Sequence, residues 1–216
     1  MLPTEYVETY FGVTNATVGA DGKYTGDYDY EDERASLFYN KGHYPEMTAL
    51  KVFVQGWSFY KYNNIPHDKT REEFAPTAAT YGTTSAKCGV DYPMMRLAEI
   101  YLNYAEACLM VGGEYKAKGL NYLNMVRERA KLDPLADYDL EDINRERAVE
   151  LAWEGFRRID LIRWGKFHSA DYIWEWKGGS YQGQGFSEHL LVFDFPQSEL
   201  TSNQNLSHKP GYVIAN

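Results

Sequence analysis

The glycine pair Gly112-Gly113 cuts one long apolar stretch, residues 92–133, into two halves. Glycine loses the most backbone freedom on ordering, so a doublet inside a helical pattern ends one helix and begins another. In the first half Leu97, Ile100, Tyr101, Tyr104, Ala105 and Cys108 recur at i, i+3, i+4 spacing. Pro93 suits the start of that helix, where a missing N–H does no harm. In the second half Leu120, Leu123, Val126 and Ala130 form the apolar stripe. Two antiparallel helices in about 35 residues match the length of one tetratricopeptide-like unit. One clear copy is visible, so no repeat array is implied. The expected fold class is mainly α, a helical hairpin with long loops and short strands.

The remaining segments read as loops and short elements. Residues 1–92 are loop-rich, and 93–216 hold the helical core with C-terminal loops. The stretch VGADGKYTGDYDYEDERA, residues 18–35, mixes Gly, Asp and Tyr without sustained period, as a long loop does. Loops of that length are usually functional or disordered. Residues 49–62 hold β-formers Val52, Val54 and Tyr60 and suit a short strand. Residues 134–142 read as a turn, with Asp139 capping the next helix and Asp142 completing a weak capping box. A glycine-rich aromatic loop follows at 174–188. The stretch 190–212 reads as a short apolar strand, a proline turn and a polar tail.

Charge and composition remove several function classes. Among 216 residues, 22 basic and 31 acidic side chains leave −9, which argues against a nucleic-acid partner, since phosphate binding needs a basic face. Aromatics are abundant, with 19 Tyr, 10 Phe and 5 Trp, and such rings suit cores and wet binding surfaces alike. Two cysteines, Cys88 and Cys108, leave the redox compartment open. Cys108 reads as a small hydrophobe in a helix. No apolar run reaches membrane-spanning length, and MLPTEYVETYF lacks the pattern of a signal peptide. The chain reads as a soluble module whose export signal, if its parent has one, lies outside it.

The segment NRERAVELAWEGFRRIDLIRWGKF, residues 144–167, concentrates arginines, acids and two tryptophans. Read as one helix, it gives an apolar stripe of Val149, Ala152, Trp153, Phe156 and Ile159, with Ile162 at its end. Its charges then pair within the helix: Arg147 with Glu150, Glu154 with Arg157 and Arg158, and Asp160 with Arg163. Arginines neutralised in this way form no basic surface. Trp153 and Trp164 read as core, and Gly155 as a kink or split.

With Ile143 in front, this segment resembles the ER-x-x-EL-x-x-EG-x-R-x-x-DL-x-RWG signature of the SusD/RagB family of nutrient-binding outer-membrane lipoproteins of Bacteroidetes. Arg147, Glu150, Leu151, Glu154, Gly155, Arg157, Asp160, Leu161, Arg163, Trp164 and Gly165 match it. DYPMMRLAEIYLNYAEA and LNYLNMVRERAKL are similar to two of its helices. FDFPQSELTSNQNLSHKPGY resembles its terminal motif, departing at Phe195 and His208-Lys209. LPTEYVETYF and DER (32–34) resemble the start of its C-terminal region. The resemblance implies a SusD-like fold and places residues 1–216 as the C-terminal half of such a protein, with 1–92 on the ligand side. It implies a cell-surface, outer-membrane location, with membrane contact only through a lipid anchor outside this chain, because Cys88 and Cys108 are internal. It also implies an oligosaccharide ligand, a SusC-like TonB-dependent transporter as partner, and no cofactor. The alternatives are a helical scaffold that docks the transporter, or a peptide-binding member of the same family.

No catalytic activity is expected. QGWSF lacks the second glycine of a nucleophile elbow, GGSYQGQGF is no dinucleotide fingerprint, and the histidines at 43, 67, 168, 189 and 208 show no ligand spacing. DYDYEDE, residues 27–33, fails the calcium-loop template and reads as a solvated acidic loop. Flat aromatic rings do bury the C–H faces of sugars while neighbouring polar groups bond the hydroxyls. Two loops have that mixture: Tyr24, Tyr28 and Tyr30 among Gly and Asp, and Trp174, Trp176 and Tyr181 beside Gly178-Gly179. Glycan-binding members of the family carry ligand-facing aromatics near the DER-like segment, which favours the tyrosine loop.

Overall fold

A computed structural model describes residues 1–63, 65, 73 and 90–212 of the chain. Cys88 and His67 lie outside the described residues. The chain divides into two compact units, Met1–Phe156 and Arg157–Asn216. Among the described residues no helix is long and apolar enough to cross a membrane.

The first unit begins with α1 (Thr4–Phe11), which buries Val7, Tyr10 and Phe11. Gly12 ends it in the left-handed region at φ 63°, returning its N–H to the Glu8 carbonyl. Strand β1 (Val13–Thr14) pairs antiparallel with β2 (Asp29–Tyr30), and β3 (Phe38–Tyr39) with β4 (Ser58–Phe59). The short strand expected within 49–62 is β4, though the β-formers Val52, Val54 and Tyr60 lie outside it. Trp57, immediately before it, is fully buried and touches Tyr24, Tyr28 and Phe38 through tilted or edge-on ring contacts.

The expected hairpin is α2 (Leu97–Val111) and α3 (Glu114–Arg129), broken at Gly112-Gly113. Pro93 does not start it: Arg96 is the extended N-cap. The two helices meet at Gly119, where a Cβ would lie 2.7 Å from Cys108 Cβ and 3.0 Å from the Ala105 carbonyl. Leu102, Ala105, Cys108, Leu123 and Val126 fill that contact. Tyr138 closes it by donating to the Ala105 carbonyl at 2.8 Å.

The stripe read from the sequence is only half buried. Leu97, Ile100 and Tyr104 face outward and extend a patch with Met94 and Met95, 88% and 72% exposed. Val111 and Met110 continue it. Exposed apolar side chains in such number favour association. The chain should therefore self-associate at high concentration and bind an apolar dye. A monomer that melts sharply and binds no dye would contradict this.

Helix α4 (Leu140–Glu150) starts at the capping box read from the sequence. Asp139 accepts from the Glu141 and Asp142 N–H groups at 2.8 and 3.1 Å, and Asp142 accepts from the Asp139 N–H at 2.9 Å. The single long helix expected over 144–167 is not formed. Residues 151–155 turn instead, with Trp153 at φ 64° and Gly155 at φ 80°. The helical period does not carry through that turn. Trp153, read as core, is 57% exposed, and Ile159 is also exposed.

In the second unit α5 (Arg157–Arg163) buries Asp160 and Leu161. Arg163 donates to Asp160 at 3.0 Å, a pairing that the sequence suggested. Irregular chain follows, then 3-10 turns at Lys177–Gly179 and Glu188–Leu191, and α6 (Gln197–Ser202). The apolar strand expected after residue 190 is instead the end of the second 3-10 turn.

Candidate functional site

Helix α4 buries charge beside its apolar residues Ile143, Ala148 and Val149. Glu146, Arg147, Glu150 and, beyond the helix, Glu154 are all buried. Their partners come from distant segments. Arg34 bonds Asp32 at 2.6 Å, Glu146 at 2.6 Å and Glu150 at 2.8 Å. Arg96 bonds Glu154 at 2.7 Å and also reaches Glu150. Arg129 reaches Glu150, Lys61 reaches Glu154, and Arg127 lies 3.6 Å from Glu146. Glu154, expected to pair along its own helix, takes Lys61 and Arg96 as partners from distant segments. Glu150 is held by three arginines from outside its helix, and Arg147 donates to Asn103 at 2.6 Å. A helix can pair charges along its exposed face, but a buried carboxylate needs charges brought in from the elements that cover it.

Electrostatics follow from that enclosure. Burial alone would raise the Glu150 carboxyl, but Arg96 and Arg34 outweigh it and hold it below its ordinary value. Burial pushes Glu146 up against the pull of Arg34 and Arg127. Burial also lowers Lys61 despite Glu154, while Arg96, opposed by burial, is raised by Glu154 and Glu150. These polar groups are turned on one another, which is how a cluster holds segments together.

The tyrosine loop leaves the scaffold after β1 and returns at β2. Its three rings are not equivalent. Tyr24 is buried against Trp57, with its hydroxyl at 2.9 Å from Thr4 Oγ1. Tyr28 is half-buried and donates to the Ala35 and Phe38 carbonyls at 3.1 and 2.9 Å. Burial and Tyr30 push its pKa up to about 12. Tyr30 is exposed, 5.9 Å from the Tyr28 ring. Beside this loop lies a hollow of about 230 Å³ lined by residues 25–28 and 38–41. Its walls include Tyr28, Phe38 and Tyr39, with Asp27 and Lys41 as charged groups. Asn40, which the sequence reading passed over, also lines it. In FYNKGHY an asparagine ahead of Lys-Gly signals only a turn.

The tryptophan loop in the second unit is organised by Lys177. Its ammonium donates to the Lys166 and Ser169 carbonyls at 3.4 and 3.2 Å and to the Tyr172 carbonyl, and burial lowers its pKa. Trp174 stands edge-on to Tyr172, and Trp176 edge-on to Tyr181 at 5.7 Å. Trp176 is left-handed at φ 66°, which turns the chain toward Gly178-Gly179. Trp174 and Trp176 are half-buried and Tyr181 is exposed. Arg157 lies over the Tyr172 ring and donates to its hydroxyl. Among the described residues no three His, Cys, Asp or Glu side chains gather as metal ligands would.

Comparison with known proteins places this architecture. The family model described as the SusD family matches residues 13–212. The starch-binding protein SusD of Bacteroides thetaiotaomicron is 33% identical over 189 residues, covering 84% of this chain and 31% of that protein. A SusD-like protein of Bacteroides ovatus is 41% identical over 75 residues, 34% of this chain and 14% of that protein. A solved SusD superfamily protein from Bacteroides vulgatus superposes with a TM-score of 0.59 at 26% identity, covering 85% of this chain and 36% of its own. One from Parabacteroides distasonis shares the fold, with a TM-score of 0.55 at 21% identity over 91% of this chain and 46% of its own. The chain spans about a third of the length of the first of these relatives.

Proposed function

The chain belongs to the SusD family, and from that premise we propose that it captures an oligosaccharide nutrient at the outer-membrane surface and passes it to a SusC-like TonB-dependent transporter. Membrane attachment would come from a lipid anchor outside this chain. The observation that carries the sugar reading is the tyrosine loop with its hollow, which Tyr28 lines together with polar groups, while the exposed Tyr30 ring lies 5.9 Å from that of Tyr28. The starch-binding name of a relative points the same way. In this reading Tyr30 stacks on the sugar and Tyr24 and Tyr28 hold the loop in shape, while Trp174, Trp176 and Tyr181 are the candidate ligand residues of the second unit, taken by itself. The protein acts as a receptor and not as a catalyst. A second reading, a scaffold that docks the transporter, draws on the apolar face of α2.

Calorimetric titration with neutral maltose-, xylose- and galactose-based oligosaccharides tests the proposal. Tyr30→Ala should weaken binding by roughly 1–2 kcal/mol, about tenfold. Loss in Trp176→Ala with no change in Tyr30→Ala would move the site to the second loop. Absence of all glycan binding, with capture of the transporter intact, would favour the scaffold. Release of reducing ends, abolished by one Asp or Glu substitution, would overturn the receptor reading. The charge of −9 adds a condition: a polyanionic glycan should bind weakly at low salt and better as salt rises.

A further inference from the structure

The charge cluster of α4 opens on one side to a hollow of about 200 Å³. Its lining includes four cations, Arg34, Lys61, Arg96 and Arg129, and two acids, Glu150 and Glu154. The acids lie deepest. Their side chains are 2% and 1% exposed, against 20% for Lys61, 24% for Arg96 and 62% for Arg129. What solvent meets in the hollow is therefore cationic, with the carboxylates beneath. Asp32, Glu146 and Arg127 join through the same ion pairs, and five cations then face four carboxylates. An excess of positive charge thus remains here, in a chain of net charge −9. Arg129 is where that excess is accessible. Its Nη2 is engaged by Glu150, and its Nε and Nη1 have no partner among the described residues. Lys61, by contrast, is fully engaged by Glu154 and by the Glu150 and Ala152 carbonyls. Burial lowers its pKa and Arg96 adds to that, against the pull of Glu154. Leu37 and Phe59 form apolar wall in the same lining.

We propose that this hollow binds one small carboxylate, its oxygens on the uncommitted N–H groups of Arg129 and its carbon body against Phe59 and Leu37. The proposal does not depend on the oligosaccharide reading, because neither aromatic loop takes part in it. A guanidinium presents N–H groups in a planar fork that matches the two oxygens of a carboxylate, a fit that an ammonium lacks. Arg96 and Lys61 are already held by Glu150 and Glu154, so they add positive potential without having to be ordered. The net charge of the chain does not oppose a single anion here. Charges beyond a Debye length, roughly 8–10 Å at physiological salt, are screened, and the accessible groups within that range of the ligand include these cations. A long polyanion extends past that range and meets the acidic remainder of the surface. The volume is below the roughly 300–1,000 Å³ of drug-sized sites, which limits the ligand to a few heavy atoms.

The test titrates this chain at constant ionic strength with propionate, with propionamide as its neutral analogue, and with inorganic phosphate as an anion that has no carbon body. The arginine Nε–H resonances and the melting temperature report binding. Propionate should bind saturably, shift the Arg129 Nε–H resonance and raise the melting temperature, with propionamide and phosphate at least tenfold weaker. Arg129→Gln should weaken propionate binding tenfold or more. Arg129→Lys should restore only part of it, because the charge returns and the fork does not. Arg129 is largely exposed and meets the cluster through one nitrogen, so both variants should fold, which circular dichroism checks. If they do not, the parent decides, through a resonance shift with propionate and none with propionamide. Equal binding of propionate and propionamide would overturn the proposal. So would phosphate binding as tightly as propionate, or propionate affinity unchanged in Arg129→Gln. None of these outcomes bears on oligosaccharide binding, which is titrated separately.

Discussion

Glu150→Ala should destabilise the chain by about 3–5 kcal/mol, the cost of removing one member of a buried charge cluster. The carboxylate is 2% exposed on its side chain and faces Arg34, Arg96 and Arg129. Its loss leaves Arg34 and Arg96 partly enclosed with less negative charge to meet them, although Asp32, Glu146 and Glu154 remain. Chemical denaturation of the parent and the variant measures the difference. A change below about 1 kcal/mol would mean that the cluster behaves like exposed ion pairs. If Glu150→Ala does not fold, Glu150→Gln gives the same comparison, with shape kept and charge removed. The sign with pH follows from the lowered Glu150 pKa. The stability that this carboxylate confers is fully present above its ordinary value of 4.5 and is lost as pH falls through the depressed folded value. The gap between parent and Glu150→Gln should therefore narrow as pH drops from 4.5 through the depressed value. A gap that stays constant down to acid unfolding would contradict the linkage.

Trp57→Ala should cost a similar amount, about 3–5 kcal/mol, by removing the largest buried side chain of the first unit. Its consequence should also reach the ligand loop. The indole N–H donates to Thr4 Oγ1 at 3.2 Å, and that hydroxyl also meets the Tyr24 hydroxyl. The Tyr28 ring stands edge-on to the indole with centroids 4.9 Å apart. Both inward tyrosines of the loop thus rest on one side chain. Amide exchange over residues 16–30 should quicken in Trp57→Ala, and oligosaccharide affinity should fall with it. Unchanged exchange would show that the strand pair at the base of the loop is sufficient to hold it.

What the sequence disclosed was local. The break at Gly112-Gly113, the Asp139–Asp142 capping box and the Arg163–Asp160 pair all involve residues within a few positions, where spacing and chemistry decide the contact. The cations on Glu150 and Glu154 could not be read in this way. Arg34 and Glu150 are 116 positions apart, and Lys61 and Glu154 are 93 apart. Many surface arginines would have fitted either acid equally well. The apolar stripe over 149–159 failed for a different reason. It assumed one continuous helix, and the left-handed Trp153 followed by Gly155 resets the face. Of the tyrosine loop, the sequence showed the material and not its orientation. A tyrosine serves a core and a sugar site with the same ring, so burial of Tyr24 and exposure of Tyr30 waited on the structure. Asn40 left no trace in the sequence beyond a turn.

The tyrosine loop leaves and re-enters the scaffold at one point. Val13 lies opposite Tyr30, Thr14 opposite Asp29, and the Glu31 N–H donates to the Gly12 carbonyl at 3.3 Å. Beyond that neck Tyr24 is anchored again, by backbone bonds to His43 and Gly42 and by its buried ring against Trp57, which leaves the turn at residues 19–22, closed by its own Gly22-to-Gly19 bond. Lengthening a loop whose ends are already joined costs only a logarithmic increment of entropy, about 0.6 kcal/mol for each doubling. Insertions at that turn can accumulate while Tyr24, Tyr28 and the scaffold they rest on stay in register. On the reading proposed here, the turn can change length without a redesign of the scaffold that holds the two inward tyrosines.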